Sequence, residues 1–145
     1  MRAVPVLRAW RLLLVLTLMA IPGWTQEKTM HRVVFELTTD GEEQWQALLN
    51  NVENLQKAFG REHTEVEVVA HGKGQALLKK TNTAMAPRIA ALAKGGVRFA
   101  ACQNTMRRQG LTKEDLLPDA VTVDSGVAEV VRKQEAGWSY LKSGS

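Results

Sequence analysis

From Arg32 onward, short β-branched or aromatic runs alternate with helical periodicity, and this alternation leaves few folds open to the chain. Arg32-Val33-Val34-Phe35-Glu36-Leu37-Thr38 reads as a strand stopped by Thr39-Asp40-Gly41. Asp40 is placed to open a helix, with Glu43 three residues on as an Asp-x-x-Glu capping box and Gly60 at the far end. Trp45, Leu48, Leu49, Val52, Leu55, Ala58 and Phe59 fall on one helical stripe, which assigns the two aromatic residues to the core. Glu65 to Ala70 is a second strand, followed by the turn His71-Gly72-Lys73-Gly74 and a helical Gln75 to Lys80. Asn82 or Thr83 opens the next helix, with Pro87 in its first turn and Gly95-Gly96 closing it.

Val97, Phe99 and Ala101 alternate as a third strand, and Asn104 or Thr105 is placed to cap a short helix through Met106, Arg107 and Arg108. Thr112 caps a further short helix from Leu111 to Leu117, stopped by Pro118. Val121-Thr122-Val123 is a fourth strand, and Asp124-Ser125-Gly126 turns it into a helix from Val127 to Gly137. Trp138-Ser139-Tyr140-Leu141 completes the set as an edge strand, before a polar tail from Lys142 to Ser145. Strand followed by helix throughout predicts a mostly parallel sheet of about five strands covered on both faces, a three-layer α/β/α sandwich.

The N-terminal segment has a different character. Arginines lead into the apolar run Leu12 to Ile21, then Pro22-Gly23, which is the anatomy of an export signal ending near Thr25. A spanning helix needs roughly 20 apolar residues, about twice this run, so the expectation is cleavage rather than anchoring, with residues 26–145 as a single domain. The mature protein is then periplasmic or secreted, with no stable membrane insertion. The formal net charge of +4 also belongs to this segment. Without Arg2, Arg8 and Arg11 the 19 basic residues fall to 16, against 15 acidic ones, and nothing in that balance calls for a nucleic-acid partner.

Cys102 is the only cysteine, so no internal disulfide is available and any thiol chemistry passes through it. It stands where the third strand ends and a helix begins, and unpaired N–H groups at a helix start favour thiolate over thiol. A lone cysteine after two alanines is equally a small buried core residue, and composition leaves both readings open.

In a parallel sheet, ligands bind at the rim formed by the carboxyl ends of the strands. That rim collects His71, Cys102, Asp40, Asp124 and Ser125, whereas His31 and His63 precede their strands and belong to the opposite end. His71 is therefore the one histidine within reach of the thiol, as a base or as a turn residue. Arg107 and Arg108 are candidates to hold an anion, and Asn104 stands beside them. The turn glycines Gly72 and Gly74 offer backbone N–H groups to an anion, but they lack the rest of a dinucleotide or P-loop pattern. Ser125, His71 and Asp124 allow a triad on paper, without the glycine-flanked elbow. One cysteine and one rim histidine fall short of a metal site, and no cofactor is implied.

Three segments, EVVAHGKGQALL, FAACQNTMRRQG and DSGVAEVVRKQEAGWSYLK, together resemble the DsrE/DsrF-like family, in particular its small exported members. The resemblance spans nearly the whole mature chain. It implies a flavodoxin-like three-layer fold, assembly as a homo-oligomer (trimer or hexamer), and a role as a sulfur carrier that passes a persulfide between donor and acceptor proteins. Cys102 matches the position of the family's reactive cysteine, and His71 its strand-end His-Gly. The alternative is a non-catalytic oligomeric module that binds a small anion or a protein partner, with the cysteine buried and structural.

Overall fold

The computed structural model describes residues 29–143; the expected export signal and the last two residues of the tail lie outside them. Five strands form one sheet: β1 (His31–Leu37), β2 (Thr64–Ala70), β3 (Arg98–Cys102), β4 (Ala120–Val123) and β5 (Ser139–Ser143). Four α-helices join them: α1 (Glu42–Phe59), α2 (Ala86–Lys94), α3 (Gln103–Gln109) and α4 (Gly126–Glu135). All strand pairs are parallel, in the order β4-β3-β2-β1-β5. The α/β class, the count of about five strands and the edge position of the last strand are those the sequence predicts, and the sheet, expected to be mostly parallel, is parallel throughout.

The strand order explains how the helices are shared between the faces. From β1 to β4 the chain steps steadily in one direction, and right-handed crossovers put every connection on one face. From β4 it must return across the sheet to β5, beyond β1, and the same handedness puts α4 on the opposite face. The register carries this into the packing. Val33, Phe35, Leu37, Val66, Val68, Phe99 and Ala101 point into the larger core with Leu48, Leu49, Val52, Ile89 and Leu92. Val34, Val69, Ala100 and Val123 point the other way and meet only Val130 of α4, flanked by Trp138.

So small an apolar cluster leaves polar contacts to help seat α4. Glu67 of β2 is fully buried beneath the helix, where its Oε2 accepts from Lys133 Nζ at 2.6 Å and Arg98 Nη1 at 3.0 Å. Glu129 lies 3.6 Å from Arg98, and Arg132 bridges Glu129 and Asp124 at 3.0 and 2.8 Å. A buried carboxylate is tolerated only when paired in this way.

Several helix starts differ from expectation. Gly41, at φ 120°, caps α1 without a side-chain hydrogen bond; the Asp40 carboxylate instead accepts the adjacent Gly41 N–H at 2.8 Å, so the Asp-x-x-Glu box does not form. The segment Gly72–Leu78 winds as a 3-10 helix rather than an α-helix, opening with a Gly74 N–H to His71 C=O bond. The expected helix from Leu111 shrinks to a 3-10 turn at Lys113–Asp115, though its Thr112 cap is present. Phe59 is 45% exposed and stacks on His31 with centroids 3.8 Å apart, so it is no core residue.

Gly74 is fixed by backbone contact. A methyl group there would lie 2.2 Å from the Leu37 carbonyl oxygen. Gly74→Ala is expected to lower unfolding free energy on the order of 3 kcal/mol, as overpacking against backbone does, read as a lower urea midpoint.

Candidate functional site

Adjacent strands β3 and β4 send their connections to opposite faces, α3 to one and α4 to the other, which opens a crevice at their carboxyl ends. Cys102 is the last residue of β3, buried at this switch point. It is also the N-cap of α3, which begins two or three residues earlier than expected: Asn104 and Thr105 are inside the helix rather than capping it. Ser125 caps α4, its hydroxyl accepting the Ala128 N–H, so Gly126 opens that helix with a free first-turn N–H.

The sulfur thus meets two helix starts at once. Cys102 is 3% exposed, and burial alone pushes its pKa up. Hydrogen bonds to the sulfur from the backbone N–H groups of Gly126, Thr105 and Asn104, and from the Thr105 hydroxyl, outweigh that and hold the thiol below its ordinary value. Thr105 is itself buried, and its Oγ1 accepts the Gly72 N–H at 3.0 Å, which leaves the hydroxyl hydrogen free to donate to the sulfur.

His71 comes to the same rim but bonds elsewhere. Its Nε2 lies 2.7 Å from Glu36 Oε1, and Glu36 Oε2 accepts from the Tyr140 hydroxyl. A carboxylate only accepts, so Nε2 carries the hydrogen. Burial raises the Glu36 pKa, but the bonds from Tyr140 and His71 hold it below the usual carboxylate range, and Tyr140 is pushed up to about 12. The paper triad is not assembled: Asp124 pairs with Arg132, Ser125 caps α4 and His71 is held by Glu36.

The glycine turn is occupied by the chain itself. The Gly72 N–H goes to Thr105 and the Gly74 N–H to the His71 carbonyl, so neither is left for an anion. Asn104, Arg107 and Arg108 line a shallow groove on α3, where Arg107 Nη2 donates to Asn104 Oδ1. A neighbouring groove shares Arg107 and adds Lys113. These place positive charge along α3, the helix that Cys102 caps. Among the described residues no three His, Cys, Asp or Glu side chains gather as metal ligands, and no helix is long and apolar enough to cross a membrane.

Glu36, Tyr140, Thr105 and Gly126 escape a reading by motif. Glu36 carries the one usable signal, a carboxylate inside a β-branched strand, two residues from the rim. The other contacts join elements far apart in sequence.

A sequence profile of the DsrE/DsrF-like family matches residues 32–143. The chain is 37% identical to a protein of unknown function from Methanobacterium thermoautotrophicum, with a TM-score of 0.73 over 77% of this chain and 98% of that one. A conserved protein of unknown function from Bacteroides thetaiotaomicron (17% identity, TM-score 0.60, 76% and 92% covered) shares the fold. So does the ychN protein of E. coli (11% identity, TM-score 0.62, 78% and 99% covered). No curated protein gives a significant match.

A thiol whose pKa is depressed on folding adds stability above the unfolded value of about 8.5, and loses it as the pH falls through the lower native value. The urea midpoint of the native protein relative to Cys102→Ser is therefore expected to rise with pH up to that value. A difference flat across this range would mean that folding does not favour the thiolate.

Proposed function

The chain belongs to the DsrE/DsrF-like family, and from that premise we propose that it is a sulfur carrier whose single cysteine is loaded as a persulfide. The observation that carries this reading is the placement of Cys102 at the end of β3 as N-cap of α3, where backbone N–H groups of α3 and of Gly126 favour the thiolate despite burial. The thiolate attacks the outer sulfur of a sulfane donor, R–S–S⁻. The new Cys102 S–S bond forms as the donor's S–S bond breaks, and R–S⁻ leaves with the electron pair and takes a proton from solvent. An acceptor thiolate attacks the outer sulfur in turn and Cys102 thiolate departs, so the cycle needs no oxidant. Arg107, Arg108 and Lys113 supply positive charge beside the crevice for an anionic donor.

Export and assembly belong to the same proposal. The Leu12 to Ile21 run directs the chain to the periplasm or outside the cell, and a homo-oligomer, trimer or hexamer, is its working form. Exposed Val121, Val127 and Val131, at 37%, 59% and 45%, are the apolar surface on the β4 and α4 side that supports assembly. Light scattering on the purified protein is expected to give three or six subunits; a monomer at micromolar concentration refutes the assembly.

The 3% exposure of Cys102 favours the rival reading, a binding module in which the thiol is structural. Intact mass spectrometry after incubation with polysulfide separates the two. The native protein is expected to gain one or more sulfur atoms, removable by reductant, and Cys102→Ser none; the same spectrum shows whether the chain begins between Gly23 and Lys28. No sulfur gain in the folded protein would leave the binding module standing.

A further inference from the structure

Glu36 occupies a costly position. It lies on the interior strand β1, on the face covered by α4, largely shielded from water, and a carboxylate there needs partners that repay its desolvation. It has two, Tyr140 from the edge strand β5 and His71 from the end of β2, and Lys142 adds a more distant favourable charge. So far this describes a satisfied buried group. What His71 touches gives it a further consequence.

The His71 side chain lies directly against the first residue of α4. A methyl group built on Gly126 would fall 2.9 Å from His71 Cβ, 3.0 Å from Cδ2 and 3.1 Å from Cγ, so there is no room for a side chain between imidazole and backbone. Gly126 is the residue whose N–H donates to the Cys102 sulfur. The next residue in the turn, Gly72, donates its N–H to Thr105 Oγ1, and that hydroxyl also bonds the sulfur. One two-residue segment thus supports two of the sulfur's partners, Gly126 by contact and Thr105 by hydrogen bond. The segment is held in turn by the His71 N–H to the Leu37 carbonyl at 3.1 Å and by the imidazole bond to Glu36.

We propose that Glu36 and Tyr140 are positioning residues for the Cys102 thiolate, acting through His71 and Gly72 on the Gly126 and Thr105 donors. Tyr140 fixes the Glu36 carboxylate, Glu36 fixes the rotation of the imidazole, and the imidazole fixes how closely the α4 backbone approaches the sulfur. None of the three touches the reacting atom. Hydrogen bonds to an anion weaken steeply with misalignment, so a small rotation of His71 reaches the thiol as a loss of anion stabilisation. The proposal rests on Cys102 being the reacting thiol, but it can fail separately.

The test is a thiolate titration by ultraviolet absorbance on the full chain, which requires no reagent to reach the sulfur. Wild type, Glu36→Gln and Tyr140→Phe are each titrated, with Cys102→Ser as the blank. Both variants are expected to raise the thiol pKa by about half a unit or more, as loss of aligned donors to the charged form does. Val52→Ala, in the other core, is expected to lower Tm and leave the thiol pKa in place, so that destabilisation alone is separated from positioning. Tyr140 is on an exposed edge, so Tyr140→Phe remains folded and decides the matter should Glu36→Gln unfold. A thiol pKa unmoved in the folded variants overturns the positioning role. Sulfur uptake by wild type together with unmoved variants overturns it alone, while shifted variants without any uptake retain it and overturn the sulfur-carrier reading.

Discussion

The handedness of β-strand crossovers is the constraint from which the rest of this molecule follows. A right-twisted strand feeding a helix packs back on the sheet in one sense only, so the steps from β1 to β4 cover one face and the return to β5 must cover the other. That return is made by α4 alone, and it places the start of α4 beside the end of β3, across the crevice from the start of α3. The site is therefore a product of topology. Any nucleophile ending β3 would lie between two helix starts, and the chain has placed its only cysteine there.

At that sulfur, two effects compete and their sizes decide the outcome. Burial disfavours the charged form, while hydrogen bonds to a charged group contribute roughly 1.5–3 kcal/mol each, against about 1.4 kcal/mol for one unit of pKa. Three backbone N–H groups and a hydroxyl are enough to reverse the burial effect, and the net direction at Cys102 is downward. The same competition is met differently a few residues away. Glu67, buried under α4, is balanced by the cations Lys133 and Arg98, and Glu36 by the donors Tyr140 and His71. Polar contacts thus supplement the small apolar cluster beneath α4, and with it the position of the Gly126 N–H.

The sheet and its helices were legible because the alternation of β-branched runs and helical stripes is local, and the rim position of His71 and Cys102 follows from strand direction alone. Details governed by backbone geometry were not. Asp40 looks like a cap, but Gly41 turns the chain so that the carboxylate meets only its neighbour. Gly72 and Gly74 look like an anion cradle, yet Gly74 is demanded by the Leu37 carbonyl and the Gly72 N–H is spent on Thr105. Asn104 and Thr105 look like caps, whereas the cysteine holds that place itself. Glu36 and Tyr140, 104 residues apart, share a bond that no short motif records.

The central claim is that the buried thiol is ionised and open to attack in the folded protein, and the rate of Cys102 alkylation against pH on native protein tests it most directly. With one cysteine the signal has a single source. The account predicts modification without unfolding, with a midpoint below the free thiol value of about 8.5. Protection of Cys102 until denaturant unfolds the chain, or a midpoint at or above that value, would contradict it.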